Sequence, residues 1–100
     1  MAISDVKERG AAYYIFDSER NQSATVPTQL GSLLGICLDF IILERGGMYY
    51  TFNEKGKQIG TVPTLRGDFK NAVGNSFNLV QNGYIYSFDK KGRQIGASPA

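Results

Sequence analysis

Hydrophobic and polar positions alternate in short runs along this chain, and the runs stop at residues that favour turns. Phe77 to Gln81 alternates, Asn82-Gly83 follows, and Tyr84 to Phe88 alternates again. Asn-Gly between two alternating runs is a hairpin signal, because both turn positions need positive φ. Asp89-Lys90-Lys91-Gly92 then reads as a second turn, with Asp bonding the turn backbone and Gly taking the left-handed conformation, before a strand over Arg93 to Ala97. Lys70 to Val73, ahead of Gly74-Asn75, reads as a fourth strand. The result is an antiparallel meander.

The same sentence occurs three times. Tyr14, Tyr50 and Tyr86 are 36 residues apart, as are Phe16, Phe52 and Phe88, Gln22, Gln58 and Gln94, and Pro27, Pro63 and Pro99. A period of this length indicates a repeat architecture. The fold class expected is all-β: one domain over residues 1–100, made of three meander repeats of approximately 1–27, 28–63 and 64–99. Ser32 to Leu34 is the first strand of the second copy. The first copy has no residues for that strand, so a three-stranded unit should precede two four-stranded ones. Each Pro closes a repeat at the end of an outer strand, where a missing N–H does no harm. The turn Asp17-Ser18-Glu19-Arg20-Asn21 lacks Gly; Asn21 is its natural positive-φ residue, and the turn should be the least regular of the three.

Alternation on the third strand of each unit puts Ala12, Tyr14 and Phe16, then Met48, Tyr50 and Phe52, then Tyr84, Tyr86 and Phe88 on one face, the expected core. The other face (Tyr13 and Ile15, Tyr49 and Thr51, Ile85 and Ser87) is mixed, so both faces should be covered, as in stacked sheets. On the second strand Phe40 and Ile42 are matched to Phe77 and Leu79. The second copy is the most apolar and should sit centrally.

The stretch Asn82 to Ile95 resembles blades of NHL and WG-type β-propeller repeats, in which an aromatic strand runs into Asp-x-x-Gly and then a basic-aliphatic strand, although it lacks the WG dipeptide. That resemblance implies blades around an axis. Propellers close with four to eight blades, so three would need a second chain, and a head-to-tail pair making six is the expected assembly. The competing resemblance is to the monocot bulb lectins, whose β-prism II fold also holds three such repeats and closes within one chain. Their sugar site uses Gln-x-Asp-x-Asn-x-Val-x-Tyr; here those positions carry Glu44, Gly46, Met48, Tyr50 and Phe52, so the polar sugar ligands do not carry over.

Composition narrows the chemistry. The 100 residues are 42% hydrophobic and 20% charged with a net charge of +2, a globular balance without the concentrated basic face that nucleic acid demands. There is no His, which removes the commonest general base and metal ligand. No enzyme activity, metal or cofactor is expected. Cys37, the single cysteine, reads as an apolar filler between Ile36 and Leu38 and suits a reducing compartment. No signal peptide or transmembrane run is seen, and the expected location is cytoplasmic. The candidate ligand or partner surface is Tyr13, Tyr49, Asp39, Lys90, Lys91 and Arg93. The function expected is a self-assembling binding or scaffold module, a homo-oligomer (dimer) with a protein or carbohydrate partner and no membrane. The alternatives are a small lectin-like module or an accessory domain associated with an enzyme or with nucleic acid. Any joint should lie where the incomplete first copy meets the strand ending at Pro99.

Overall fold

The structure, a computed structural model, describes residues 2–100 and contains eleven strands. They are β1 (Ile3–Arg9), β2 (Ala12–Asp17), β3 (Gln22–Pro27), β4 (Ser32–Ile36), β5 (Phe40–Arg45), β6 (Met48–Asn53), β7 (Gln58–Pro63), β8 (Asp68–Val73), β9 (Ser76–Gln81), β10 (Tyr84–Phe88) and β11 (Gln94–Pro99). All pairings are antiparallel between chain neighbours, giving sheets β1-β2-β3, β4-β5-β6-β7 and β8-β9-β10-β11. A three-stranded unit therefore precedes two four-stranded ones, as the repeat arithmetic requires. Pro27, Pro63 and Pro99 each end an outer strand. After the first two of these the chain makes a single 3₁₀ turn, Thr28–Leu30 and Thr64–Arg66, which alternation does not reveal.

The repeats share their irregularities. Where the third strand of each unit meets the fourth, one extra residue bulges out: Ser23, Ile59 and Ile95, in pairings that jump from Ile15–Ala24 to Phe16–Gln22, from Thr51–Gly60 to Phe52–Gln58, and from Ser87–Gly96 to Phe88–Gln94. A bulge strengthens local twist and re-aims the strand end into the following turn. The three turns also match. Asp17 N–H donates to Asn21 O at 2.9 Å and Arg20 N–H to Asp17 O at 3.0 Å, the bonds that Asn53, Lys57 and Gly56 and then Asp89, Arg93 and Gly92 repeat. The first turn is thus as regular as the others, and Arg20, not Asn21, takes positive φ, at +66°. A left-handed non-glycine residue costs roughly 1–2 kcal/mol. Asp17 offsets it: its buried carboxylate accepts from the amides of Glu19 and Asn21, both at 2.9 Å.

The sheets stack face to face with β4–β7 in the middle. One core layer joins Ile3, Tyr13, Ile15 and Val26 of the first sheet to Ile41, Leu43 and Phe52 of the second. The other joins Phe40, Ile42, Tyr49 and Val62 to Phe77, Leu79 and Phe88 of the third, with Cys37 at its edge. Phe40, Ile41, Ile42 and Leu43 are all fully buried, so the second copy is central as its composition requires. Pairing of Ile41 with Phe52 and of Phe77 with Phe88 shows that Ile41 and Leu43, rather than Phe40 and Ile42, correspond to Phe77 and Leu79.

The expected core face needs correction. Tyr50 and Phe52, and Tyr86 and Phe88, do face the preceding sheet. In the first unit no preceding sheet exists among the described residues, so Ala12, Tyr14 and Phe16 are only half-buried and Tyr13 and Ile15 form the core. Met48 is half-buried, and Tyr84 is 48% exposed.

Candidate functional site

Each sheet holds the next by the same three devices. The Tyr13 hydroxyl donates to Gly31 O at 2.9 Å, and its period partner Tyr49 donates to Gly67 O at 2.8 Å. Hydroxyls on the outer half of one sheet donate to a turn carbonyl of the next: Ser23 to Glu54 O at 2.9 Å, and Thr51 to Lys90 O. Finally the turns of the second and third units rest on the outer strand of the unit before, Gly56 against Ala24 and Thr25, Gly92 against Thr61. Tyr13 and Tyr49, expected on a ligand surface, are therefore 4% and 3% exposed and serve as inter-sheet ties. Burial, followed by the charges of Glu44 and Asp68, pushes the Tyr49 pKa up, against a backbone bond from Phe69 that lowers it.

The other four expected residues do come together. Asp39 sits in the connection from β4 to β5, where Cys37 N–H donates to Phe40 O at 2.8 Å and Leu38 N–H reaches across to Gly74 O at 2.9 Å. That second bond binds the connection to the β8–β9 hairpin and faces it toward the third turn. There Lys90 Nζ lies 3.1 Å from Asp39 Oδ2. Asp39, Lys90, Lys91 and Arg93, with Asn75 and Asp89, line a cleft of about 200 Å³. Asn75 was legible only as a turn residue after Gly74 and not as part of this cleft, although it stands 36 residues after Asp39; that spacing was the available signal.

Charge in the cleft is mostly committed. Asp89 Oδ1 accepts from the amides of Lys91 at 2.9 Å and Arg93 at 3.0 Å, and Oδ2 from Arg93 Nε at 3.3 Å. Partial burial works to raise its pKa, and those amides together with the guanidinium outweigh it, holding Asp89 below the ordinary carboxylate value. Two ion pairs leave the exposed Lys91 as the one cation of the cleft without a carboxylate partner among the described residues. Asp39 Oδ1 is buried and has no hydrogen-bond partner there. Such orphaned acceptors are rare, and this one is shut off from solvent, so the exposed Lys91 ammonium is the free group that the cleft offers.

Cys37, two residues before Asp39, belongs to the core layer between the second and third sheets, with its thiol donating to Ser76 O at 3.3 Å. Burial, and then the charge of Asp39, push its pKa up to about 12, which keeps it a thiol at neutral pH. Among the described residues no group of three or more Cys, Asp or Glu side chains is placed to hold a metal ion, and no helix is long and apolar enough to cross a membrane.

The two ends of the stack differ from its joints. On the first sheet, the outer face shows Tyr14 and Phe16, with Lys7 Nζ 5.8 Å above the Phe16 ring. On the third, the outer face carries a row of register partners, Asn71, Asn78, Ser87 and Gly96, one from each strand. The row is hydrogen-bonded, Ser87 Oγ to Asn78 Oδ1 at 2.6 Å and Asn78 Nδ2 to Asn71 Oδ1 at 2.7 Å. Every residue of β11 is exposed, with Ile95 at 60%. Comparison with protein-family models, with curated proteins and with solved structures gives no match for this chain.

Proposed function

We propose that this chain is a non-enzymatic β-repeat module of propeller-blade type, which works by associating with a second copy of itself and presenting its basic cleft to a protein partner. One observation carries the reading. The positions that join sheet to sheet inside the stack recur at its two ends with no further sheet against them among the described residues: Tyr14 and Phe16 match Tyr50 and Phe52, and Ile85, Ser87 and Gly96 match Tyr49, Thr51 and Gly60.

Blade-like stacking, rather than three sheets closing on themselves, is favoured by the arrangement of the core. The second sheet is covered on both faces, whereas the first and third are covered only toward the second. Two copies would supply six sheets, within the range that closes a ring. The outer face of the third unit is more polar than the buried joints, which suits a reversible contact. At the cleft, the exposed ammonium of Lys91 suits an acidic group of a protein partner. Light scattering over a micromolar concentration range tests the assembly. Twice the monomer mass is expected, and a monomer throughout refutes the reading.

A further inference from the structure

Gly96 is a residue whose reason is absent from its own surroundings. It sits inside strand β11, where glycine weakens a strand and lacks a side chain to pack, and a Cβ built on it meets nothing within 4 Å among the described residues. Its period partner Gly60 explains the glycine. A Cβ on Gly60 would lie 2.5 Å from the carbonyl carbon of Lys91 and 2.8 Å from its Cα, because the third turn crosses β7 at that point. Glycine at this position marks where the backbone of a following turn comes down on the strand. Position 24, the first-copy equivalent, is Ala, and there the turn stands further off: a Cβ on Gly56 would be 3.2 Å from the Ala24 Cβ.

We infer that Gly96 receives the turn Asp17–Asn21 of a second copy, so that copies join head to tail through the same contact that joins the repeats within one chain. This rests on the self-association proposed above and names its joint. Of the three matching turns, the second and third already lie on a preceding strand, while Ser18, Glu19 and Arg20 of the first are exposed. The first turn nonetheless keeps the full set of bonds that shape the docked ones. Its Ser18 carbonyl stands where Glu54 O and Lys90 O stand, and those accept from Ser23 and Thr51. Ser87, the partner of Thr51, supplies the matching hydroxyl after rotating away from Asn78.

Arg20 is the feature that should resist such docking, since the docked turns have Gly56 and Gly92 in its place. Seating it calls for the wider spacing of the first joint, where a carbon on Gly56 would lie 3.2 Å from both the Ala24 Cβ and Thr25 O, rather than that of the second, where a carbon on Gly92 would lie 2.5 Å from Thr61 O. Gly96 lacks the carbon that Ala24 presents at the first joint, so one of those two contacts is absent for Arg20.

The full chain and its Gly96→Val variant are compared by light scattering, melting and hydrogen exchange. Valine favours a strand and meets nothing in the free chain, so the melting of dilute monomer should not fall. The variant should run as a monomer at concentrations where the wild type is a dimer. Concentrating the wild type should slow exchange in residues 17–21 and 94–98 together. Wild type that stays monomeric overturns the proposed function as well. A wild-type dimer that survives Gly96→Val, or that protects 94–98 without 17–21, overturns only the joint.

Discussion

Three glycines of nearly equal φ separate backbone strain from packing. Gly83, Gly56 and Gly92 have φ of +82°, +78° and +80°, so alanine at each meets the same left-handed penalty, roughly 1–2 kcal/mol. Any gain from stiffening the unfolded chain is also common to the three and cancels in their differences. What differs is the space for the new carbon. At Gly83 nothing lies within 4 Å; at Gly56 the Ala24 Cβ and Thr25 O lie at 3.2 Å; at Gly92 the Thr61 carbonyl oxygen lies at 2.5 Å with further Thr61 backbone atoms at 3.2 Å. A side chain can give way by tenths of an ångström, but a carbonyl of the β7 backbone cannot yield without moving the strand and parting the second and third sheets. Overpacking of this kind costs about 1–3 kcal/mol. Expected losses are therefore about 1 kcal/mol for Gly83→Ala, about 1–2 for Gly56→Ala and about 3 for Gly92→Ala. Urea unfolding followed by circular dichroism measures them, and melting should shift by about 4–8 °C per kcal/mol in a domain of this size. Equal losses at Gly83 and Gly92 would refute the claim that the third turn is seated on Thr61, since strain alone would then account for both.

Tyr49→Phe should cost about 1–2 kcal/mol by leaving the Gly67 carbonyl without its donor, and Tyr13→Phe at least as much, because the Tyr13 hydroxyl also accepts from Leu33 N–H at 3.2 Å. Tyr14→Phe on the outer face is the control, and urea titrations showing equal losses in all three would refute the assigned ties. For Cys37 the sign runs one way: a folded pKa of about 12 lies above the unfolded value of about 8.5, so the unfolded chain loses its proton first. Stability should be level below about pH 8.5 and fall as pH rises above it, by at most about 1.4 kcal/mol per pH unit. Native protein at pH 8 should also react with maleimide far more slowly than protein in urea; equal rates would show that the thiol is not held as described.

Much of the architecture was legible because its causes are local. Alternation, Asn82-Gly83 and the Asp-x-x-Gly turns act within a few residues, and their recurrence at 36 locates the strands and the missing strand of the first unit. Local chemistry did mislead at Arg20, where the carboxylate of Asp17 outweighs the preference for Asn or Gly. Alternation also defines two faces of a strand without saying which has a neighbour. Only stacking decided that Tyr13 and Ile15 are core while Tyr14 and Phe16 look outward, and that Tyr13 and Tyr49 are ties. Only stacking brought Asp39 to Lys90 across the second joint, 51 positions along the chain. The same holds for Gly60 and Gly96, each the end of a Gln-Ile-Gly run three residues before a Pro. One is demanded by a backbone that crosses it and the other faces open space, a difference set by the placement of neighbouring sheets and not by the shared Gln-Ile-Gly.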